Sequence, residues 1–286
     1  MIDRAYRLLL PKRRTSCAVF SSPHSGRRYP ASFLARVRLD IAQLRSSEDA
    51  FVDELVGSAP KRGAPLLAAT FSRSYIDLNR AAHELDPAVV HGAPKTGLNA
   101  RLTAGLGVIP RVVAEGREIM DGKITLFEAE SRIARGYRPY HNCLSRLLMD
   151  TRDRFGMAIL FDCHSMPSVA RKVALPCGGV MPDIVLGDRY GSSCANWLYD
   201  AVHAAFSEAG FVVARNAPFA GGHITQAYGQ PAQNIHALQI EIDRGLYMDE
   251  AKLLPHAGFE VTRSRLAQVI VQLVALDGGT QTLAAE

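Results

Sequence analysis

The 286-residue chain has no C-x-x-C pair, and its five cysteines (Cys17, Cys143, Cys163, Cys177 and Cys194) are odd in number. That pattern argues against a disulfide framework and against a zinc knuckle. No apolar run approaches the ~20 residues that span a bilayer, so no membrane segment is expected. Asp3 and Arg4 charge the N-terminus and only Leu8, Leu9 and Leu10 stand together before Pro11, so no signal peptide is expected and the expected location is cytoplasmic. Internal repeats, low-complexity tracts and Pro/Gly/Ser-rich linkers are also missing, and a single domain over residues 1–286 is expected. The net charge of +5 and pI near 9.0 would permit nucleic-acid binding. Apart from "PKRR" (11–14) and "GRR" (26–28), however, the basic residues are scattered and no nucleic-acid fold signature is present. The charge therefore points to anionic small molecules, with neither nucleic acid nor membrane as a partner. The oligomeric state has no signature in the sequence.

What is present is the composition of a folded enzyme, 48% hydrophobic and 21% charged. Strands are expected at 17–23, 64–72, 157–162, 183–188, 211–216 and 236–243. Helices are expected at 46–59, with Ser46 or Ser47 as N-cap, at 126–154, near 192–209 and at about 258–275. Pro139 should kink or split the second of these. Trp197, Leu198, Ala201, Val202, Ala205 and Phe206 form one apolar face at helical spacing. Residues 83–122 read as a long functional loop region. Strands alternating with helices imply an α/β fold, a mostly parallel or mixed central sheet with helices on both faces.

In such sheets ligands collect beyond the carboxyl ends of the strands. Two strands end on the same pair: "VFSSPHSGRRYP" (19–30) on His24 and Ser25, and "AILFDCHSMPS" (158–168) on His164 and Ser165. A hydrolytic zinc site takes about three ligands from His, Asp and Glu and leaves a position for water. His24 and His164 supply two imidazoles, and Glu48 or Asp49 can supply the carboxylate. Manganese, cobalt or nickel would suit the same donors. Cys163 neighbours His164 on a strand and so points to the opposite face. In "LQIEID" (238–243), Glu241 places a carboxylate inside an apolar strand, where an unpaired charge is costly. It either pairs with an arginine such as Arg244 or serves as general base and then proton donor. "SRSYIDLNR" (72–80) sets Arg73, Asn79 and Arg80 just after a strand, and arginine forks suit a substrate carboxylate. "FAGGHITQAYG" (219–229) adds paired glycines with His223, Thr225 and Tyr228 as polar candidates.

Taken in order with "EDAFVDELV" (48–56), "GYRPYH" (136–141) and "LQIEIDRGLYMDE" (238–250), these segments resemble the N-formylglutamate amidohydrolase family across residues 19–250. The family is similar to zinc carboxypeptidases and aspartoacylases in fold and metal chemistry. The resemblance implies cleavage of an N-acyl amino acid, N-formyl-L-glutamate in the best-known case, within histidine catabolism. It further implies zinc on His24, Asp49 and His164, Glu241 as acid/base, and Arg73, Asn79 and Arg80 against the substrate. The H-x-x-E zinc motif of carboxypeptidases is absent, since Arg27 stands three residues after His24. The family's Tyr, Arg and His are replaced here by His223, Gln226 and Ala227. Two alternatives accompany that change: a zinc deacylase for another N-acyl amino acid, and a non-catalytic binding protein that keeps the fold.

Overall fold

The computed structural model describes residues 5–94, 99–172 and 181–277; Asp3, Arg4 and Cys177 lie outside the described residues. Seven strands form the central sheet: β1 (Tyr6–Leu9), β2 (Ala18–Ser22), β3 (Leu66–Ala69), β4 (Ala158–Met166), β5 (Ile184–Gly187), β6 (Val213–Arg215) and β7 (Ile235–Asp243). Their spatial order is β1-β3-β2-β4-β7-β5-β6. β4 runs parallel to both of its neighbours, β2 and β7, whereas β5 runs antiparallel to β7 and parallel to β6. The principal helices are α1 (Ile41–Arg45), α2 (Val52–Leu55), α3 (Leu126–Arg132), α4 (Arg138–Phe155), α5 (Asn196–Glu208), α6 (His223–Tyr228) and α7 (Gly258–Ala275). The protein is thus a mixed α/β fold around a mostly parallel sheet. Among the described residues no helix is long and apolar enough to cross a membrane.

Two compact units make up the chain. The first comprises the N-terminal residues to Arg7, Pro23–Ala50 and Ala68–Cys143. Its core contains a buried arginine: Arg132 lies 4.5 Å over the Tyr75 ring and 5.3 Å over Phe33. Its charge is met by Glu128 and the Tyr75 carbonyl, so the cation is paired where burial would otherwise penalise it.

The second unit comprises Leu8–Ser22, Phe51–Leu67 and the chain from Leu144 onward. Every residue of β2, β4 and β7 is buried; the first halves of these strands read as apolar runs, while Asp162 and His164 in β4 and Gln239, Glu241 and Asp243 in β7 place buried polar groups on one face. Leu198, Val202, Ala205 and Phe206 of α5 are buried as their spacing predicts, and α7 buries Leu266, Val269, Ile270 and Leu273. Each of the larger of these side chains, Ala205 aside, stabilises the unit by about 1.5–3 kcal/mol.

Two local expectations are corrected and one, at Pro139, holds. The helix expected over 46–59 does not form as one piece. The hydroxyls of Ser46 and Ser47 bond back to the carbonyls of Gln43 and Leu44, closing α1 rather than opening a new helix. Phe51 then takes a left-handed φ of 66° before α2 begins. The split expected at Pro139 is present: a π-turn over Ile133–Tyr137 separates α3 from α4 and accommodates the missing N–H. The strand expected at 157–162 runs on through His164 to Met166 because β7 templates it residue for residue as far as Met166↔Asp243.

Candidate metal centre

β2 ends at Ser22, and the next residues turn back towards the segment after β3. The backbone N–H of Arg28 donates to Thr70 O, and Ser72 N–H donates to Arg28 O. Gly26 sits at the closest approach: a Cβ there would lie 2.1 Å from Phe71 O, so this position accepts only glycine. The turn carries His24 into a fully buried position. Its Nε2 lies 2.8 Å from Oδ1 of Asp77, whose Oδ2 accepts from Arg73 Nε at 2.9 Å. Burial alone would raise the Asp77 carboxyl, but Arg73, His24 and Arg80 outweigh it and hold the group well below the usual carboxylate range. An ionised Asp77 accepts, so Nε2 donates and Nδ1 presents its lone pair. Nδ1 is buried, makes no hydrogen bond and lies 3.3 Å from Oδ2 of Asp49.

Glu48 and Asp49, the two competing acids, part company here. The Asp49 N–H donates to the His24 carbonyl at 3.0 Å, which turns its carboxylate towards the imidazole. Glu48 faces elsewhere: it accepts from the Tyr29 hydroxyl and pairs with Arg45 Nε at 3.0 Å.

His164 is built in the same way as His24. Its Nε2 lies 2.9 Å from Oδ2 of the fully buried Asp162, two residues earlier on the same face of β4. Ser21 of β2 donates to the other oxygen of Asp162 at 3.0 Å. Each histidine therefore has a buried carboxylate fixing its tautomer and ring plane, the outer-sphere support typical of metal-ligating imidazoles.

Ligand atoms of His24, Asp49 and His164 all lie within 4.8 Å of one another, and all three residues are buried. A buried carboxylate beside two imidazole lone pairs is short of positive charge, and a divalent cation matches that donor set. Glu241 stands on β7 directly across from His164 in the β4–β7 register. Its Oε1 accepts from Gln239 Nε2 at 2.8 Å. Arg244, the alternative partner for this carboxylate, donates its Nε to Ser165 Oγ at 3.1 Å.

The substrate-binding candidates divide between two places. Arg73 and Asn79 both engage Asp77, the second through its backbone N–H at 2.8 Å. Arg80 is buried and donates to the carbonyls of Leu106 and Asn79; burial lowers its basicity, with Asp77 opposing. His223 opens α6 immediately after Gly222, whose N–H donates to Gln239 Oε1 at 2.8 Å. Arg28 lies 4.9 Å over the Phe71 ring while Arg27 is exposed. Three contributors escaped the sequence reading: Asp77, Asp162 and Gln239. Asp162 and Gln239 each stand two residues before a selected residue, and that strand period was the available signal.

A sequence profile described as N-formylglutamate amidohydrolase matches residues 16–248. The chain is 31% identical over 262 residues to the N-formylglutamate deformylase of Pseudomonas aeruginosa, with 90% of this chain and 92% of that one covered. It is 32% identical over 237 residues to the N-formylglutamate deformylase of Pseudomonas putida, with 82% of each covered. A crystal structure of N-formylglutamate amidohydrolase from Ralstonia eutropha superposes with a TM-score of 0.88 at 36% identity, covering 95% of this chain and 98% of that one.

Proposed function

The chain belongs to the N-formylglutamate amidohydrolase family, and from that premise we propose that it hydrolyses N-formyl-L-glutamate to formate and glutamate with a zinc ion held by His24, Asp49 and His164. The observation that carries the metal is the buried His–Asp–His cluster, with its ligand atoms within 4.8 Å. Bound there, the ion would supply Lewis acidity to the formyl oxygen and make a water molecule easier to deprotonate. The rest of the work falls to the chain. Glu241 accepts a proton from the attacking water and delivers it to the amine nitrogen as the C–N bond breaks. Arg73, Asn79 and Arg80 bind substrate carboxylate, and His223 faces the substrate from the start of α6. With that substrate, the reaction has its place in histidine catabolism.

One observation favours a second substrate. His223, Gln226 and Ala227 all stand in α6, directly after Gly221–Gly222, and bring no arginine there, which suits an N-acyl amino acid with a shorter or uncharged side chain. A panel of N-formyl and N-acetyl amino acids, assayed with and without a chelator and with the metal identified, separates these readings. The expected result is chelator-sensitive release of formate with N-formyl-L-glutamate among the best substrates. Turnover of the whole panel that ignores the chelator would overturn the metal assignment. Metal-free protein that binds the panel without cleaving it would make it a binding protein.

The carboxylate behind His24 gives a further test. Asp77→Asn keeps the shape of the side chain but removes the charge that holds the imidazole in its donating tautomer. The expected outcome is ~10–100-fold weaker zinc binding in a competitive chelator titration. Unchanged affinity would place Asp77 outside the support of the metal.

A further inference from the structure

Two side chains of one helical run reach the same short stretch of backbone. Arg132 Nη1 donates to the Tyr75 carbonyl at 3.3 Å, and His141 Nε2 donates to the Leu78 carbonyl at 2.9 Å. A carbonyl can only accept, so a proton sits on Nε2 at this contact. His141 is buried, and its ring stacks on Tyr137 with the centroids 4.0 Å apart. Residues 132 and 141 are nine apart, about two and a half turns of a regular α-helix, which would set them on opposite sides. The π-turn over Ile133–Tyr137 lies between them. Its extra residue rotates all that follows by about 100°, and so swings His141 back towards the side that Arg132 faces. Gly136, within that turn, lies against the same stretch: a Cβ there would meet Ile76 Cγ2 at 3.2 Å and Phe71 Cδ2 at 3.4 Å.

Asn79 and Arg80 follow Leu78 directly, and all three are buried. Their backbone is held by a set of specific bonds. The Asp77 N–H donates to Val108 O at 2.9 Å, and the Asn79 N–H donates to Asp77 Oδ1 at 2.8 Å. The Asn79 carbonyl accepts from Arg80 Nη1 at 2.7 Å, and Arg80 Nε donates to Leu106 O at 2.8 Å. The Leu78 carbonyl is the group of this run that α4 serves, through His141. A buried carbonyl that loses its donor is costly, and the peptide that carries it shifts to find another.

We propose that His141, carried round by the π-turn, is a positioning residue for substrate binding: by holding the Leu78 carbonyl it sets the direction in which Asn79 and Arg80 meet the substrate carboxylate. The inference rests on the reading of Asn79 and Arg80 as carboxylate binders. A guanidinium is a planar fork that matches a carboxylate in a narrow range of orientations, so a shift of the peptide before Arg80 weakens that match. His141 moves no proton in this role. Its loss therefore weakens substrate and transition state alike, and the cost falls on KM and not on kcat.

Three variants separate this role from a structural one. His141→Phe keeps a ring to stack on Tyr137 and loses the donor, His141→Gln carries an amide N–H to the reach of Nε2, and His141→Asn falls short of it. The phenylalanine and asparagine variants are expected to raise both KM for N-formyl-L-glutamate and the inhibition constant of L-glutamate by about tenfold, the worth of one buried hydrogen bond. Their kcat should stay within about threefold of the parent, with zinc content unchanged. The glutamine variant should bring both constants back to within about threefold of the parent. If the first two variants keep KM within about threefold, or lower kcat with KM unchanged, His141 serves only the packing of α4 and the inference falls. It falls equally if glutamine restores nothing. Should the phenylalanine variant fail to fold, the asparagine and glutamine pair decides by the same criteria. Arg80→Met tests the reading beneath: an unchanged KM there means that Arg80 does not bind the carboxylate, and the two failures are thereby told apart.

Discussion

Glu241→Gln is expected to lower kcat by ~10²–10⁴-fold, the usual worth of general acid/base work, while the protein binds zinc as before. The reason is local. Glu241 is buried on β7, opposite His164 in the strand register, and it is absent from the cluster whose ligand atoms converge. Glutamine preserves the volume and one acceptor but cannot take up a proton. Steady-state kinetics alongside metal analysis checks both halves. A variant with normal turnover would remove Glu241 from the chemistry, and one that has lost its metal would make Glu241 a ligand instead. The loss should fall in kcat, because the carboxylate is asked to act on a proton that moves only in the reaction and not when the substrate binds.

The strands of the sheet, α5 and α7 were legible because burial on both faces or on one stripe imposes a pattern on the residues themselves. His24 and His164 were legible as a pair because the same dipeptide closes two apolar runs. Long-range partners were not legible in the same way. Asp77 is 53 residues from His24, and nothing in "SRSYIDLNR" separates an aspartate that accepts from an imidazole from one that faces solvent. The segment 46–51 was misread for a related reason. Serine before an acidic stretch is an N-cap signal, yet here the hydroxyls serve the preceding carbonyls. The bond from Asp49 N–H to His24 O, which helical spacing cannot show, then fixes the direction of the chain. In β4, His164 was read as closing the strand because a single sequence does not reveal that it has a buried partner in Asp162.

The same break in helical geometry gives the sharpest test of the metal set. Glu48 and Asp49 are adjacent, both acidic and both buried, and on a continuous helix either could have faced the histidines. In the folded chain they are held by different partners: Tyr29 and Arg45 for Glu48, His24 for Asp49. Asp49→Asn is therefore expected to weaken zinc binding by more than the ~10–100-fold typical of an outer-sphere change, and to abolish turnover with it. Glu48→Gln should keep zinc affinity within about threefold. Its cost should appear in stability, because it removes the charge that pairs with Arg45; a loss of about 1–3 kcal/mol is expected, seen as a melting temperature lower by several degrees. Burial already favours the neutral form of Glu48, against the bonds from Tyr29 and Arg45, so this penalty should sit near the lower end of that range. Isothermal titration with zinc and thermal melts of the two variants decide the matter. The reverse outcome, with zinc lost on Glu48→Gln and kept on Asp49→Asn, would move the carboxylate ligand one residue back and require the 48–51 turn to rearrange when metal binds.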